Sequence, residues 1–251
     1  MEPIRGYTVD VWKSDHGLPQ NTASSLAQSP DGFPWIGTQA GLARFNGSAF
    51  EVLTRQNSPG LIDSEVRHLL TTHDGSIWMS TGGGLCRMSS GKVVGQDSAT
   101  GLLLSDAVLS EDHQGQIYAG NRSGLFLWQK GWNFSPVAAL PDKHVRAMAE
   151  DNTGRIWVAT DKGVCELRGL QCFADSAPRS TQGLETTALY ADRQGGLWLG
   201  GAGHVWYWND NTIHRFTASD GVPNATVTAI IGDDHGVCQR RNKTAAFRPV
   251  L

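Results

Sequence analysis

The chain has 251 residues, a formal net charge of -3 and a charged fraction of 18%. A nearly neutral chain without a basic stripe is not expected to bind nucleic acid or an anionic membrane surface as its main partner. No stretch approaches the eighteen or so apolar residues of a membrane span, and residues 1–6 lack the apolar core of a secretory signal. As written, the sequence therefore predicts a cytoplasmic protein without a membrane span.

A short pattern recurs five times along the chain, at intervals of 39 to 43 residues. Each copy has an acidic or polar turn that ends in glycine, an aromatic residue three positions later, a step of small residues and a second glycine. The turn acids are assigned to Asp31, Asp74, Asp112, Asp151 and Asp192, the turn glycines are Gly32, Gly75, Gly115, Gly154 and Gly195, and the aromatic residues are Trp35, Trp78, Tyr118, Trp157 and Trp198. One four-stranded sheet needs about 40 residues and cannot bury its faces alone, so the period predicts an array of propeller blades.

The strands of each blade follow from this period. A Gly-Leu or Leu-Pro marker precedes each turn glycine, and between the two lies a stretch of β-formers or small apolar residues that predicts a buried first strand. These first strands are expected at residues 25–27, 66–70, 107–109, 145–149, 187–190 and 227–231. A third strand at 42–45 leads to a two-residue hairpin turn at Asn46-Gly47, and fourth strands are clearest at 49–53 and 212–216. Residues 7–12 predict one more strand, and almost no helix is expected.

The predicted fold class is all-β, a β-propeller of four-stranded antiparallel blades in an incomplete ring. The repeat array covers residues 1–236, with five complete blades and a partial sixth. The blades are placed at 17–59, 60–100, 101–139, 140–182, 183–220 and 221–236. Position 239 has no aromatic, so residues 237–251 are expected to form an aberrant, flexible tail. Our hypothesis is that a frameshift near Val237 truncated the sixth repeat and that the natural protein continued.

The cysteines allow a narrower prediction. Cys86 and Cys165 hold the same repeat position in different blades and should not pair with each other. A turn at Arg168-Gly169 would place Cys165 directly across from Cys172. The sequence leaves two alternatives open for Cys165 and Cys172: a cross-strand disulfide in an oxidising compartment, or two half-buried thiols.

Other candidate residues favour structural roles. The repeat tryptophans are expected to pack blade against blade, whereas Trp12, Trp128, Trp132, Trp206 and Trp208 lie outside the register and suit either edge packing or sugar stacking. His73 and His113 are expected to be solvated turn residues, and the glycine run at 82–84 lacks the Lys and the following helix of a phosphate loop. The sequence predicts no catalytic residue, no metal site and no cofactor, and it identifies no ligand-binding residue.

Residues 17–21 together with 31–47 resemble the two-component regulator propeller repeats of bacterial sensor proteins. The resemblance is strongest in the first repeat, good in the second and fourth, and covers residues 7–236. It implies a sensory propeller that lies, in a full-length periplasmic parent, ahead of a membrane span and a histidine kinase or diguanylate cyclase output module. It also implies a non-enzymatic protein that binds a small molecule or a carbohydrate. The alternatives are a protein-interaction platform and, third, a propeller lyase or hydrolase.

Overall fold

The computed structural model describes residues 10–97, 104–209, 212–233 and 236–241. The chain divides into two compact units, Met1–Asp106 and Ala107–Leu251. Five four-stranded antiparallel sheets and one two-stranded sheet account for the named strands, and each four-stranded sheet is a meander of consecutive strands. The predicted all-β fold class is therefore confirmed.

The first unit contains sheets 1 and 2. Sheet 1 consists of β1 (Ala23–Gln28), β2 (Pro34–Thr38), β3 (Gly41–Phe45) and β4 (Phe50–Leu53). Sheet 2 consists of β5 (Val66–Thr71), β6 (Ile77–Thr81), β7 (Gly84–Ser89) and β8 (Lys92–Asp97). A short 3-10 helix, Ser14–His16, precedes sheet 1.

The second unit contains sheets 3 to 6. Sheet 3 consists of β9 (Val108–Glu111), β10 (Ile117–Asn121), β11 (Gly124–Trp128) and β12 (Phe134–Pro136), and sheet 4 of β13 (Val145–Glu150), β14 (Ile156–Thr160), β15 (Gly163–Arg168) and β16 (Gln171–Phe173). Sheet 5 consists of β17 (Ala188–Ala191), β18 (Leu197–Gly201), β19 (His204–Asn209) and β20 (Thr212–Phe216), and sheet 6 of β21 (Val227–Asp233) and β22 (Gly236–Arg241). Short 3-10 helices lie at Ala174–Ser176, Arg179–Thr181 and Ala218–Asp220. None of the helices in the described ranges has the length and apolar character needed to cross a membrane.

Within each unit, the second strand of one sheet packs closely on the first strand of the next. A methyl group added at Gly120 would lie 2.5 Å from Val145 Cγ1, and one added at Gly200 would lie 2.6 Å from Val227 Cγ1. Both glycines stand two residues after the repeat aromatic. The small-residue step of the repeat is therefore required by the approach of neighbouring sheets, and the apolar cores lie between those sheets.

The structure corrects two local predictions in sheet 1. Residues 10–12 form no strand, and Trp12 instead packs its ring on Phe45 and Phe50, at centroid distances of 4.6 and 5.9 Å. Residues 7–9 lie outside the described residues. The two-residue hairpin predicted at Asn46-Gly47 is wrong as well, because Phe45 pairs with Phe50 across a four-residue loop. The Asn46 side chain stabilises the longer loop by accepting a hydrogen bond from the backbone N–H of Ala49, at 2.9 Å.

The sequence predicts a flexible tail from residue 237, but the structure continues as a strand to residue 241. Gly236–Arg241 forms β22, which pairs antiparallel with β21 and places Gln239 opposite Ile230. Backbone hydrogen bonds hold a hairpin together whether or not its side chains follow the repeat, so the missing aromatic does not prevent pairing. Residues 242–251 lie outside the described residues.

Candidate functional site

The repeat turn has the same backbone geometry in all five copies. In sheet 4, the Gly154 N–H donates to the Asp151 carbonyl at 3.0 Å, and the Asp151 N–H donates to the Arg155 carbonyl at 2.9 Å. Gly154 has a φ of 82°, in the left-handed region that favours glycine. The φ angle is also positive at the other turn glycines, Gly32, Gly75, Gly115 and Gly195.

The repeat aromatics lie on the second strand of their sheets and are buried. Trp78, Trp157 and Trp198 are each 1% exposed, Tyr118 is 3% exposed and Trp35 is 6% exposed. The indole Nε1 of Trp157 donates to Asp151 Oδ2 at 2.9 Å, and Trp198 Nε1 donates to Asp192 Oδ2 at the same distance. The other carboxylate oxygen of each aspartate accepts backbone N–H groups of its turn. Each aspartate thus ties the turn to the buried ring.

Sheets 1 and 2 have a hydroxyl side chain at this position, and the repeat pattern of the sequence did not reveal it. The residue six positions before the aromatic is an aspartate in sheets 3 to 5, but it is Ser29 in sheet 1 and Thr72 in sheet 2. Trp35 Nε1 donates to Ser29 Oγ at 3.0 Å. Asp31 and Asp74 come two residues later and pair instead with the guanidinium groups of Arg44 and Arg87. Spacing counted back from the aromatic would have separated the two kinds of acid.

The best candidate for a polar binding site is a cluster at the strand ends of sheets 4 and 5. We call it the strand-end cluster and define it as His144, Arg146, Asp161 and Glu185. His144 and Arg146 lie at the start of β13, Asp161 lies in the β14–β15 hairpin, and Glu185 precedes β17. His144 Nδ1 and Arg146 Nε donate to the two oxygens of Asp161, at 2.9 and 2.5 Å. Arg146 Nη2 also donates to Glu185 Oε1 at 3.1 Å, so one guanidinium joins two sheets.

This cluster is partly exposed, and its arrangement favours the charged form of Asp161. The side chains of His144, Arg146 and Asp161 are 20%, 31% and 35% exposed. Burial disfavours the charged form of Asp161, but hydrogen bonds from Arg146 and His144 outweigh that effect and hold its pKa below the ordinary value. An ionised carboxylate, a guanidinium and an imidazole side by side can bind hydroxyl-rich or charged ligands. Across the described ranges, no group of three or more His, Cys, Asp and Glu side chains is placed to hold a metal ion.

The first unit contains a related arrangement, which supplies a comparison. Arg67 stands eleven residues before Trp78, as Arg146 stands eleven before Trp157. Arg67 Nη2 donates to Glu65 at 2.9 Å, and Arg67 Nε donates to Asp106 at 2.8 Å. Arg67 thus contacts two carboxylates, whereas in the strand-end cluster His144 shares the Asp161 carboxylate with Arg146.

The cysteine question is settled in favour of the disulfide. Cys165 and Cys172 are bonded, with Cα atoms 5.6 Å apart, while Cys86 is a buried free thiol. The predicted register was wrong by one residue, because Gly169, with a φ of 59°, opens the turn and Arg168 pairs with Gln171. Cys172 therefore faces Leu167 and reaches Cys165 diagonally on the same face of sheet 4.

The structure gives contacts for Trp206 and Trp208, which were expected in edge packing or sugar stacking, and for His113, which was expected in a solvated turn. Trp208 meets Trp157 edge to face, with ring centroids 4.9 Å apart, and Trp206 lies beside it in the same apolar cluster. Both indoles thus serve packing between sheets 4 and 5. The backbone N–H of His113 donates to Glu150 of the neighbouring sheet at 2.9 Å, which is a more specific role than a solvated turn.

Residues 139–162 match the sequence model of the family described as two component regulator propeller. The match covers β13 and β14, and so includes the start of sheet 4 and the hairpin that carries Asp161. No curated protein matches the chain in sequence.

Several solved structures share the fold. The extracellular domain of the hybrid two component system BT3049 from B. thetaiotaomicron has a TM-score of 0.73 at 22% identity, covering 86% of this chain. That of BT4673 from the same organism has a TM-score of 0.70 at 18% identity, covering 89% of this chain. The chain spans only 31% and 32% of those two structures.

Virginiamycin B lyase from Staphylococcus aureus is also similar, with a TM-score of 0.68 at 14% identity over 86% of this chain and 76% of the lyase. The predicted propeller fold is therefore confirmed by solved structures that include extracellular domains of two-component systems and a lyase. Residues 139–162 therefore match a two-component regulator propeller repeat, and the chain as described has the β-propeller fold of four-stranded blades.

Proposed function

We propose that this chain is the sensory, ligand-binding propeller portion of a bacterial signal-transduction receptor and has no catalytic role. The observation that carries the proposal is the regulator propeller repeat at residues 139–162, in a fold shared with extracellular domains of hybrid two-component systems. A histidine kinase or diguanylate cyclase module would supply the output in the full-length parent. The likeness to the lyase concerns the fold alone and favours no reaction.

The disulfide of sheet 4 supports an extracytoplasmic location for the parent protein. Disulfides persist in the periplasm and outside the cell and are rare in the reducing cytoplasm. The bond between Cys165 and Cys172 therefore suits the location of the extracellular relatives better than the cytoplasmic location expected from the sequence as written.

The strand-end cluster is the site at which we expect the ligand to bind. Its carboxylates accept hydrogen bonds from hydroxyl groups, and the Arg146 guanidinium and the His144 imidazole can donate them. A small polar ligand, in particular a sugar or a sugar acid, matches this set. Because Arg146 already joins sheets 4 and 5, a ligand that replaces one of its partners would change the contact between two blades.

The test is a thermal-shift screen of the chain against mono- and disaccharides and sugar acids. A compound present at 100 times its dissociation constant stabilises the folded state by about 2.7 kcal/mol and should raise the melting temperature by roughly 5–10 °C. The informative variant is Arg146→Met, and the matched control is Arg67→Met at the same repeat position of the first unit. We expect the shift to vanish in the first variant and to persist in the second. If no compound shifts the melting temperature, or if both variants respond like the wild type, the proposed site is wrong.

A further inference from the structure

A groove between sheets 1 and 2 is the unfilled counterpart of a packed position elsewhere in the chain. It has a volume of about 460 Å³, and its apolar wall includes Trp35, Ile77 and Met88. Ligand pockets in proteins typically measure about 300–1,000 Å³. The volume therefore suffices for a small ligand.

The corresponding position between sheets 4 and 5 is largely filled by side chains. Only about 100 Å³ remains there, beside Trp157, Leu197 and Trp208. Met88 and Trp208 are equivalent, because each stands ten residues after the aromatic of its own sheet. Each also pairs across the strands with the matching apolar residue of the second strand, Met88 with Ile77 and Trp208 with Leu197.

In sheets 4 and 5, an indole ring therefore fills the position that is empty between sheets 1 and 2. The Trp208 ring meets the Trp157 ring edge to face, with centroids 4.9 Å apart. In sheets 1 and 2, Trp35 provides the same wall, while Met88 replaces the indole and leaves the groove open. A planar aromatic ring supplied from outside would occupy the place that Trp208 fills in the second unit.

The mouth of the groove adds a charge preference. Two carboxylates, those of Asp31 and Glu51, flank the single guanidinium of Arg44, which lies 2.8 Å from the first and 3.7 Å from the second. These three groups carry one net negative charge. Both carboxylates are more than half exposed, with side-chain exposures of 52% and 66%, and so keep acceptor capacity for a cation.

From these features we infer that the groove between sheets 1 and 2 binds an arylalkylamine. The aromatic ring lies against Trp35 and Met88, and the protonated amine of its side chain lies beside Asp31 and Glu51. This inference does not rest on the receptor role or on the strand-end cluster, which lies in the other unit. The two can fail separately.

Calorimetric titration with tryptamine, indole and indole-3-acetate tests the inference, because the three compounds share a ring and differ in charge. We expect tryptamine to bind at one site and indole-3-acetate to bind at least tenfold more weakly. Met88→Trp fills the groove as Trp208 fills its counterpart and should weaken tryptamine binding at least tenfold. Met88→Leu is the control that keeps the groove open and should bind like the wild type.

A second variant keeps the inference testable if Met88→Trp does not fold. Glu51→Gln changes an exposed side chain and should weaken tryptamine binding several-fold while leaving indole binding unchanged. The absence of tryptamine binding to the wild type overturns the inference. Equal binding by wild type and folded Met88→Trp overturns it too, as does equal affinity for tryptamine and indole-3-acetate.

Discussion

The indole Nε1 of Trp157 donates a 2.9 Å hydrogen bond to Oδ2 of Asp151, and both side chains are buried. The same aspartate accepts from the backbone N–H groups of Thr153 and Arg155 through its other oxygen. Burial disfavours the charged form of Asp151, but hydrogen bonds from the Thr153 hydroxyl, the Trp157 indole and these backbone N–H groups outweigh that effect and lower its pKa. One carboxylate thereby fixes both the turn and the ring that packs between sheets 4 and 5.

Removing the Asp151 carboxylate should destabilise the protein more than removing the Ser29 hydroxyl, which accepts the indole hydrogen bond of Trp35 in sheet 1. Asp151→Ala leaves the buried indole N–H and two turn N–H groups without their acceptor, and we expect a loss of about 3 kcal/mol. Ser29→Ala removes a neutral acceptor from Trp35 and should cost about 1 kcal/mol. Urea denaturation of both variants gives the comparison. Equal losses would mean that the charge of Asp151 contributes nothing special.

The close contact between sheets 3 and 4 can be tested with one added methyl group. Gly120→Ala places a Cβ 2.5 Å from Val145 Cγ1 and should destabilise the protein by about 1–3 kcal/mol through overpacking. Val145→Ala removes this nearest atom and leaves the Val145 Cβ position at 2.9 Å, so it relieves part of the clash, and the double variant should be more stable than the sum of the two single changes predicts. Strict additivity in this double-mutant cycle would show that the two residues do not touch in solution.

The disulfide should stabilise the folded protein and should protect two of the cysteines from thiol labelling. Cys165 and Cys172 are seven residues apart, and closing so short a loop is worth about 2–3 kcal/mol in the chain-entropy account. We expect the Cys165→Ala/Cys172→Ala double variant to melt at a lower temperature than the wild type. In thiol labelling of the unfolded, unreduced chain, Cys86 should react and these two cysteines should not. Labelling of Cys165 or Cys172 before reduction would exclude the bond.

Stability should fall as the pH drops below neutrality, in part because of His68. Burial lowers the pKa of His68 from 6.5 to about 4, so the folded state keeps this imidazole neutral. The unfolded chain therefore takes up the proton first as the pH falls through 6.5, and stability is lost between about pH 6.5 and 4. We expect the unfolding free energy to decrease from pH 7 to 5 by on the order of 1 kcal/mol more in the wild type than in His68→Gln. Parallel pH profiles for the two proteins would contradict a neutral imidazole in the folded state.

The period of the sequence predicted the parts of the fold that depend on backbone turns and large side chains. Aromatic residues recurring near every 40 residues required repeated sheets, and the structure places each on a second strand. The glycine of the turn needs positive φ, which few other residues adopt readily, so its spacing is visible in one sequence.

Features set by contacts between sheets were not visible in the same way. Spacing makes Met88 and Trp208 equivalent, but only the packing of the third strand on the aromatic of the preceding sheet shows that one leaves a groove and the other fills it. The register at Cys172 depended on which residue opens a turn, a one-residue choice that two adjacent positions, Arg168 and Gly169, leave open. The strand-end cluster joins residues from three separate segments, and no local motif marks it.

The repeated packing of the tryptophans is the central claim, and fluorine NMR of the chain labelled with 5-fluorotryptophan tests it most directly. Resonances assigned through single Trp→Phe variants are compared in H2O and D2O, because only solvent-exposed rings show an isotope shift. We predict no shift for Trp78, Trp157 and Trp198, which are 1% exposed, and a clear shift for Trp12, which is 40% exposed. A solvent shift at any of the three buried rings as large as that of Trp12 would contradict the repeat architecture.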